Sequence, residues 1–198
     1  GISRLRTAVR TGAIPRWRLL AGALGGSFVA LQTSVVPLIG VAVYSVASLA
    51  GQTATSLIVD RIGLTGGGPK LISPRRVSAA LITVVAVLVS VLDKIEAHSF
   101  SFIAVGLAVI AGALVGVQRA LNGQINEFSG QSYTTSLLNF ITGTSFLVLF
   151  ILVLLLFGKI ELQPLPSGPW WIYTGGVIGV IYIAATSLIV QHLGVLTF

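Results

Sequence analysis

Apolar residues in this chain gather in blocks of roughly 18 to 25 positions, the length that crosses a bilayer as a helix. Short runs of Gly, Pro and charged residues separate them. The pattern predicts spans at about 17–36, 40–60, 75–93, 100–121, 133–157 and 170–191, with a further one opening after Gly194. Pro37 and Gly40 predict a tight turn between the first two. The 63–74 connection is Gly-rich, and its Gly66-Gly67-Gly68-Pro69-Lys70 run fits a turn, because it lacks the spacing of a phosphate-binding loop. Asp93, Lys94, Glu96 and His98 predict a short polar connection, and Gly123 to Gln131 another. Lys159, Glu161, Pro164, Pro166 and Pro169 lead into Trp170-Trp171.

The fourth block organises the rest. Advancing about 100° per residue around a helix places Gln118, Asn122 and Asn126 on one stripe. Gly112, Gly116, Arg119 and Gly123 fall on the adjoining stripe. One side of this helix can accept a close neighbour while the next presents amides. An amide in hydrocarbon costs a few kcal/mol unless something bonds it. Neighbouring helices or a polar passenger must therefore answer these groups.

Composition narrows the class. Of 198 residues 55% are hydrophobic and only 9% charged, against about a quarter charged in soluble domains, and the mean hydropathy is +0.98. The chain is expected to be an all-α polytopic membrane protein. It has no Cys, which excludes disulfides, thiolate zinc sites and a thiol nucleophile. His98 and His192 lie far apart, without metal-ligand spacing. No paired carboxylates, Ser/His/Asp spacing or cofactor fingerprint is visible, so no catalytic residue, metal or cofactor is expected, and the chain is not expected to be an enzyme. The start at Gly1, the lack of Met and the apolar run ending at Phe198 are expected of a fragment.

The net charge of +7 is arranged for orientation. Arg4, Arg6, Arg10, Arg16 and Arg18 precede the first span; Arg61, Lys70, Arg75 and Arg76 flank the next inner connection; Arg119 ends the fourth span. Lys94 and Lys159 alone fall on the other side. Basic residues favour the cytoplasmic face, so residues 1–16 are expected to form a basic cytoplasmic flank, and nucleic acid is not an expected partner. The run after this flank is too long for a signal peptide.

A repeat is also visible. PRWRLLAGALGGSFVALQTSVVPLIGV at 15–41 matches PWWIYTGGVIGVIYIAATSLIVQHLGV at 169–195 with a constant offset of 154. Pro15 pairs with Pro169, Trp17 with Trp171, Gly22 with Gly176, Gly25 with Gly179, and Gly40 with Gly194. Four predicted spans, an even number, lie between the copies, so they should run in opposite directions. Only the first copy carries the basic anchors Arg16 and Arg18. Inverted repeats are the architecture of many secondary transporters, with the substrate path between the repeats.

These residues bring a family into view. Gln118-xxx-Asn122, Phe140-xx-Gly143 and Pro169-Trp170-Trp171 with Gly175-Gly176 resemble the first three helices of the YdcZ-type family of the drug/metabolite transporter superfamily. Gly51-Gln52, Ser56, Asp60, Gly63-Leu64 and Arg75 or Arg76 are similar to its fourth and fifth. Arg61-Ile62 and Asn139 depart from the family pattern. The resemblance implies that 17–93 holds helices three to five of one five-helix unit. It implies that 100–198 holds helices one to three, and the start of helix four, of a second unit. Together they would be part of a ten-helix inverted-repeat (5+5) fold.

The resulting expectation is a secondary carrier of the bacterial inner membrane, moving a small metabolite or drug-like solute by alternating access. A membrane assembly subunit is the rival, and an intramembrane enzyme a weaker one. Gln118, Asn122, Asn139 and Gln52 are the candidate substrate path, with helix–helix hydrogen bonding as the alternative. Asp60 is a candidate coupling group or a solvated helix end, and Arg119 a gate or a snorkelling anchor. Gly22, Gly26, Gly112, Gly116, Gly175 and Gly179 are expected at close helix contacts. Trp17, Trp170 and Trp171 are expected at interfaces. The expected partners are the solute and the lipid bilayer; monomer and homodimer both stay open.

Overall fold

A computed structural model describes residues 1–64, 69, 73–95, 101–161 and 167–193. Its elements are α1 (Ile2–Arg10), a 3-10 turn (Arg16–Leu20), α2 (Ala21–Arg61), α3 (Pro74–Ile95), α4 (Phe102–Ser129), α5 (Ser132–Leu156), a second 3-10 turn (Trp170–Tyr173) and α6 (Gly175–Leu193). No strand occurs among the described residues. Among the described residues three stretches are long and apolar enough to cross a membrane: Arg16–Arg61, Phe102–Ser129 and Ser132–Leu156. Val77–Ala86 and Gly175–Ile189 are shorter apolar helices. Large apolar side chains such as Leu81, Leu149 and Ile181 stand more than half exposed. Such a surface matches hydrocarbon, where backbone polar groups must be satisfied within each helix. The expected seventh block, Gly66, Gly67, Gly68 and Lys70, the polar 96–98 segment and Pro164 and Pro166 lie outside the described residues.

The α2 stretch consists of two helices joined at a kink, where the chain doubles back. Gly40 takes φ 81° and ψ 158°, a conformation natural only to glycine, just after Pro37 removes a backbone donor. The rings of Phe28 and Tyr44 lie 6.0 Å apart. On a straight helix those residues would be separated by about 24 Å. The arms 21–39 and 41–61 therefore form a hairpin, with Val35, Ile39, Val43, Tyr44 and Ala47 packed on Ala104, Ala108 and Ala111 of α4.

Helix α4 is the centre of the bundle. It runs antiparallel to the first arm, where Arg18 meets Gln124 and Gly25 meets Gln118. It runs parallel to the second arm, where Ser48 meets Gly112, Thr55 meets Gly116 and Val59 packs with Ala120. The approach is backbone to backbone. A Cβ at Gly112 would fall 1.8 Å from Ser48 O, and one at Gly51 1.9 Å from Val109 O. On the other side of the first arm, a Cβ at Gly22 would fall 2.2 Å from Asn139 O of α5.

The sequence places a polar loop at 123–131, but α4 continues to Ser129. The reason is burial. Every residue from Ala120 to Asn126 is buried, so the polar side chains there find partners in the protein. Gln124 Oε1 accepts from Arg18 Nη1 at 2.7 Å, and Ser129 Oγ donates to Gln131 O at 3.1 Å. Gly130, at φ 66°, then closes the helix, its N–H donating to Asn126 O at 2.8 Å. At the other end Ser101 Oγ caps α4 by accepting from Ala104 N–H at 3.2 Å.

Residues 1–16 are also more ordered than a basic flank suggests. Leu5 and Ala8 of α1, with Ile14, pack on Ala21, Leu121 and Ile125, while Arg4, Arg6 and Arg10 point outward. This amphipathic helix lies across the end of the bundle formed by α4 and α5.

The two repeat copies share their local structure as well as their residues. Pro15 (φ −65°, ψ 140°) and Pro169 (φ −59°, ψ 149°) each introduce a 3-10 turn. Arg18 N–H donates to Pro15 O and Ile172 N–H to Pro169 O, the same bond displaced by the same offset. The following α-helices begin at Ala21 and Gly175, again in register. The first copy runs parallel to α5, Gly22 lying by Asn139 and Gly26 by Gly143 and Leu147. Helix α6 follows α5 in the chain and returns along it, with Ser136 Oγ donating to Val180 O at 2.6 Å.

Candidate functional site

The first arm of α2, α4, α5 and α6 leave a cavity of about 470 Å³ between them, within the range of small-molecule sites. Glycines make room for it. Gly22, Gly25 and Gly26 line it on the first arm, Gly143 on α5 and Gly179 on α6. Phe28, Val29, Val115, Phe140, Leu147 and Ile183 give it apolar walls. Its polar groups are Gln52, Gln118, Arg119, Asn139, Thr144 and Tyr182. Among the described residues of the lining, Arg119 bears a formal charge.

Asn139 joins the amides into a chain. Its Oδ1 accepts from Gln118 Nε2 at 2.9 Å, and its Nδ2 donates to Asn122 Oδ1 and, at 3.0 Å, to Thr135 O. All three amide residues are at least nine-tenths buried. The bonds fix which face each presents. Gln118 and Asn139 reach the cavity wall, whereas Asn122, 1% exposed, lies behind Asn139 and is not part of the lining. Gln52 completes the lining from the second arm.

Arg119 reaches across to α6, where Nη2 donates to Tyr182 Oη at 2.8 Å. The bond is exposed, and Tyr182 itself is 49% exposed. Asp60 lies elsewhere. It is 1% exposed beside Val59 and outside the cavity lining, so a solvated helix end does not describe it. No cluster of His, Cys, Asp or Glu able to hold a metal occurs among the described residues.

The glycines divide into two groups. Gly22, Gly26, Gly112 and Gly116 lie where a Cβ would meet another helix within 3.1 Å, and Gly179 lies 2.8 Å by the same measure from the Phe140 ring. At Gly175 nothing among the described residues comes within 4 Å, so the close contact expected there is not made with them. Trp17, Trp170 and Trp171 are all exposed.

Two contributors to the site carry weaker sequence signals. Tyr182 is one of several aromatics in an apolar block, and nothing local marks it as the partner of an arginine 63 positions away. Gly25 is visible through the repeat, where it pairs with Gly179. A Cβ at Gly25 would lie 2.4 Å from Gln118 Nε2. Gly25→Ala is expected to push that amide off Asn139, at about 1 kcal/mol for the disturbed bond. Solute flux should fall severalfold while the amount of folded protein stays near that of the parent; flux assays on equal amounts of reconstituted protein check this.

A family model described as "Putative inner membrane exporter, YdcZ" matches residues 3–89 and again 103–198. No curated protein and no solved structure matches the chain.

Proposed function

The chain belongs to the YdcZ family of the drug/metabolite transporters, and from that premise we propose that it is a secondary carrier exporting a small solute across the bacterial inner membrane by alternating access. Family membership supports a membrane transporter in general. The cavity among four helical elements is the observation that carries the finer reading. In it Gln118, Asn139 and Gln52 present amides to a passenger whose body rests on Phe28, Phe140 and Leu147.

In this reading the chain crosses the membrane six times with its amino end cytoplasmic, as the distribution of basic residues suggests. Residues 17–93 act as helices three to five of one unit and 100–198 as the first helices of the next, within a ten-helix inverted-repeat (5+5) fold. The two proline-led turns in register at Arg16–Leu20 and Trp170–Tyr173 support that symmetry. Gly25 and Gly179, equivalent under the repeat, both line the cavity. Motion of one copy against the other would change the width of the cavity.

A second reading has an observation of its own. Gln118, Asn139 and Asn122 already bond one another, as a packing device in an assembly subunit would. The test is flux from vesicles containing the purified chain, over matched neutral, anionic and cationic solutes. Protein-dependent flux of at least one of these solutes, lowered by about tenfold or more in Gln52→Ala/Tyr182→Phe, is expected. Absence of protein-dependent flux for every solute would overturn the carrier reading.

A further inference from the structure

A second hollow lies at the end of the bundle covered by α1, apart from the cavity described above. It measures about 410 Å³ and is lined by Leu5 and Val9 of α1, Leu19 of the first 3-10 turn and Leu138 of α5, with Arg6, Arg10 and Arg16 among its walls. All three arginines are exposed, and no acidic residue is part of the lining. Arg6 and Arg10 are one helical turn apart, where like charges destabilise a helix. Helix α1 has only nine residues, too few to hold together without packing. An anion between these arginines would remove the repulsion, and the apolar floor calls for a hydrocarbon chain.

The depth of the hollow fits the same ligand. Trp17, between Arg16 and Arg18, is 56% exposed, and the Arg18 guanidinium sits 5.4 Å from its ring centroid. An exposed tryptophan flanked by arginines marks the headgroup level of a membrane. Basic pockets at this level suit lipid headgroups.

We propose that this hollow binds an anionic phospholipid, its phosphate held between Arg6, Arg10 and Arg16 and an acyl chain lying along Leu5, Val9, Leu19 and Leu138. The lipid fastens α1 across the end of α4 and α5. The site involves none of the cavity residues, so it stands or falls independently of transport.

The test is thermal unfolding of the purified chain in mild detergent, titrated with phosphatidylglycerol. Phosphatidylcholine of the same chains supplies the hydrocarbon without net charge, and glycerol 3-phosphate supplies the anion without hydrocarbon. Phosphatidylglycerol is expected to raise the unfolding temperature with saturation, the other two to have little effect. Each arginine removed should weaken the titration about fivefold, and Arg6→Gln/Arg10→Gln/Arg16→Gln on the order of a hundredfold. Arg75→Gln, an exposed arginine outside the hollow, should titrate like the parent. If the triple variant does not fold, Arg10→Gln alone reads the fivefold change. Equal titration of parent and arginine variants, equal stabilisation by phosphatidylcholine or by glycerol 3-phosphate, or no stabilisation of the parent would each overturn the proposal.

Discussion

Asn139→Leu is expected to cut solute flux by on the order of tenfold or more, at a stability cost of about 1–2 kcal/mol. Leucine keeps the branched heavy-atom skeleton of asparagine, so the shape of the contact between α5 and α4 is largely kept. What changes is the hydrogen bonding. Asn139 bonds both Gln118 and Asn122, as well as Thr135 O of its own helix. Leucine leaves both neighbouring amides without this partner in a buried place. Interhelical hydrogen bonds in membranes average only about 0.6 kcal/mol, with a maximum near 1.7, because released groups find other partners. The fold should therefore survive. The orientation of Gln118 at the cavity wall should not, since Asn139 is what holds its amide there. Thermal unfolding separates the two effects, and a double-mutant cycle with Gln118→Leu measures the coupling directly. Unchanged flux per folded molecule, with the stability loss as stated, would mean that the amides only hold helices together.

The largest expected loss of stability is at Gly112. A Cβ there would fall 1.8 Å from Ser48 O and 2.6 Å from Ser48 C. These are backbone atoms of a helix, so no rotamer change relieves the overlap. Overpacking a core costs typically about 1–3 kcal/mol when side chains can move; Gly112→Val should reach or exceed the top of that range by forcing the second arm of α2 away from α4. Loss of the monodisperse folded species in detergent is the readout. Gly106 on the same helix is the control. Nothing among the described residues lies within 4 Å of its Cβ position, and replacing glycine by alanine in a helix gains up to about 1 kcal/mol. Gly106→Ala should therefore be neutral or stabilising. Equal behaviour of Gly112→Val and Gly106→Ala would mean that the helices can separate at no cost.

Much of this architecture is legible in the residues. Each apolar block within the described residues is helical, and three stretches there are long and apolar enough to cross a membrane. The turn at Pro37–Gly40 is visible because one residue lacks a donor and the other lacks a Cβ. The helical stripe that carries Gln118 and Asn122 is visible because helix geometry alone sets it. The repeat at an offset of 154 reappears as two proline-led turns in register, since local structure follows local sequence.

The limits were equally physical. A run of Gln, Asn and Ser between 123 and 131 reads as a loop when water is assumed to satisfy it, yet it is helical because Arg18, from a distant stretch, and α1 above it supply partners and cover. Gly112 and Gly175 belong to similar Gly-xxx-Gly pairs, yet only the first meets a backbone among the described residues. The sequence by itself determined that the chain is a membrane protein built of helices, where its blocks begin and turn, and which amides require an answer. Tertiary structure decided what answers them: Asn139 for Asn122 and Gln118, Tyr182 for Arg119, and a cavity for the remaining face. Hydrogen bonds and close contacts act over a few ångströms between residues far apart in the chain, so their partners exist only once the helices are packed.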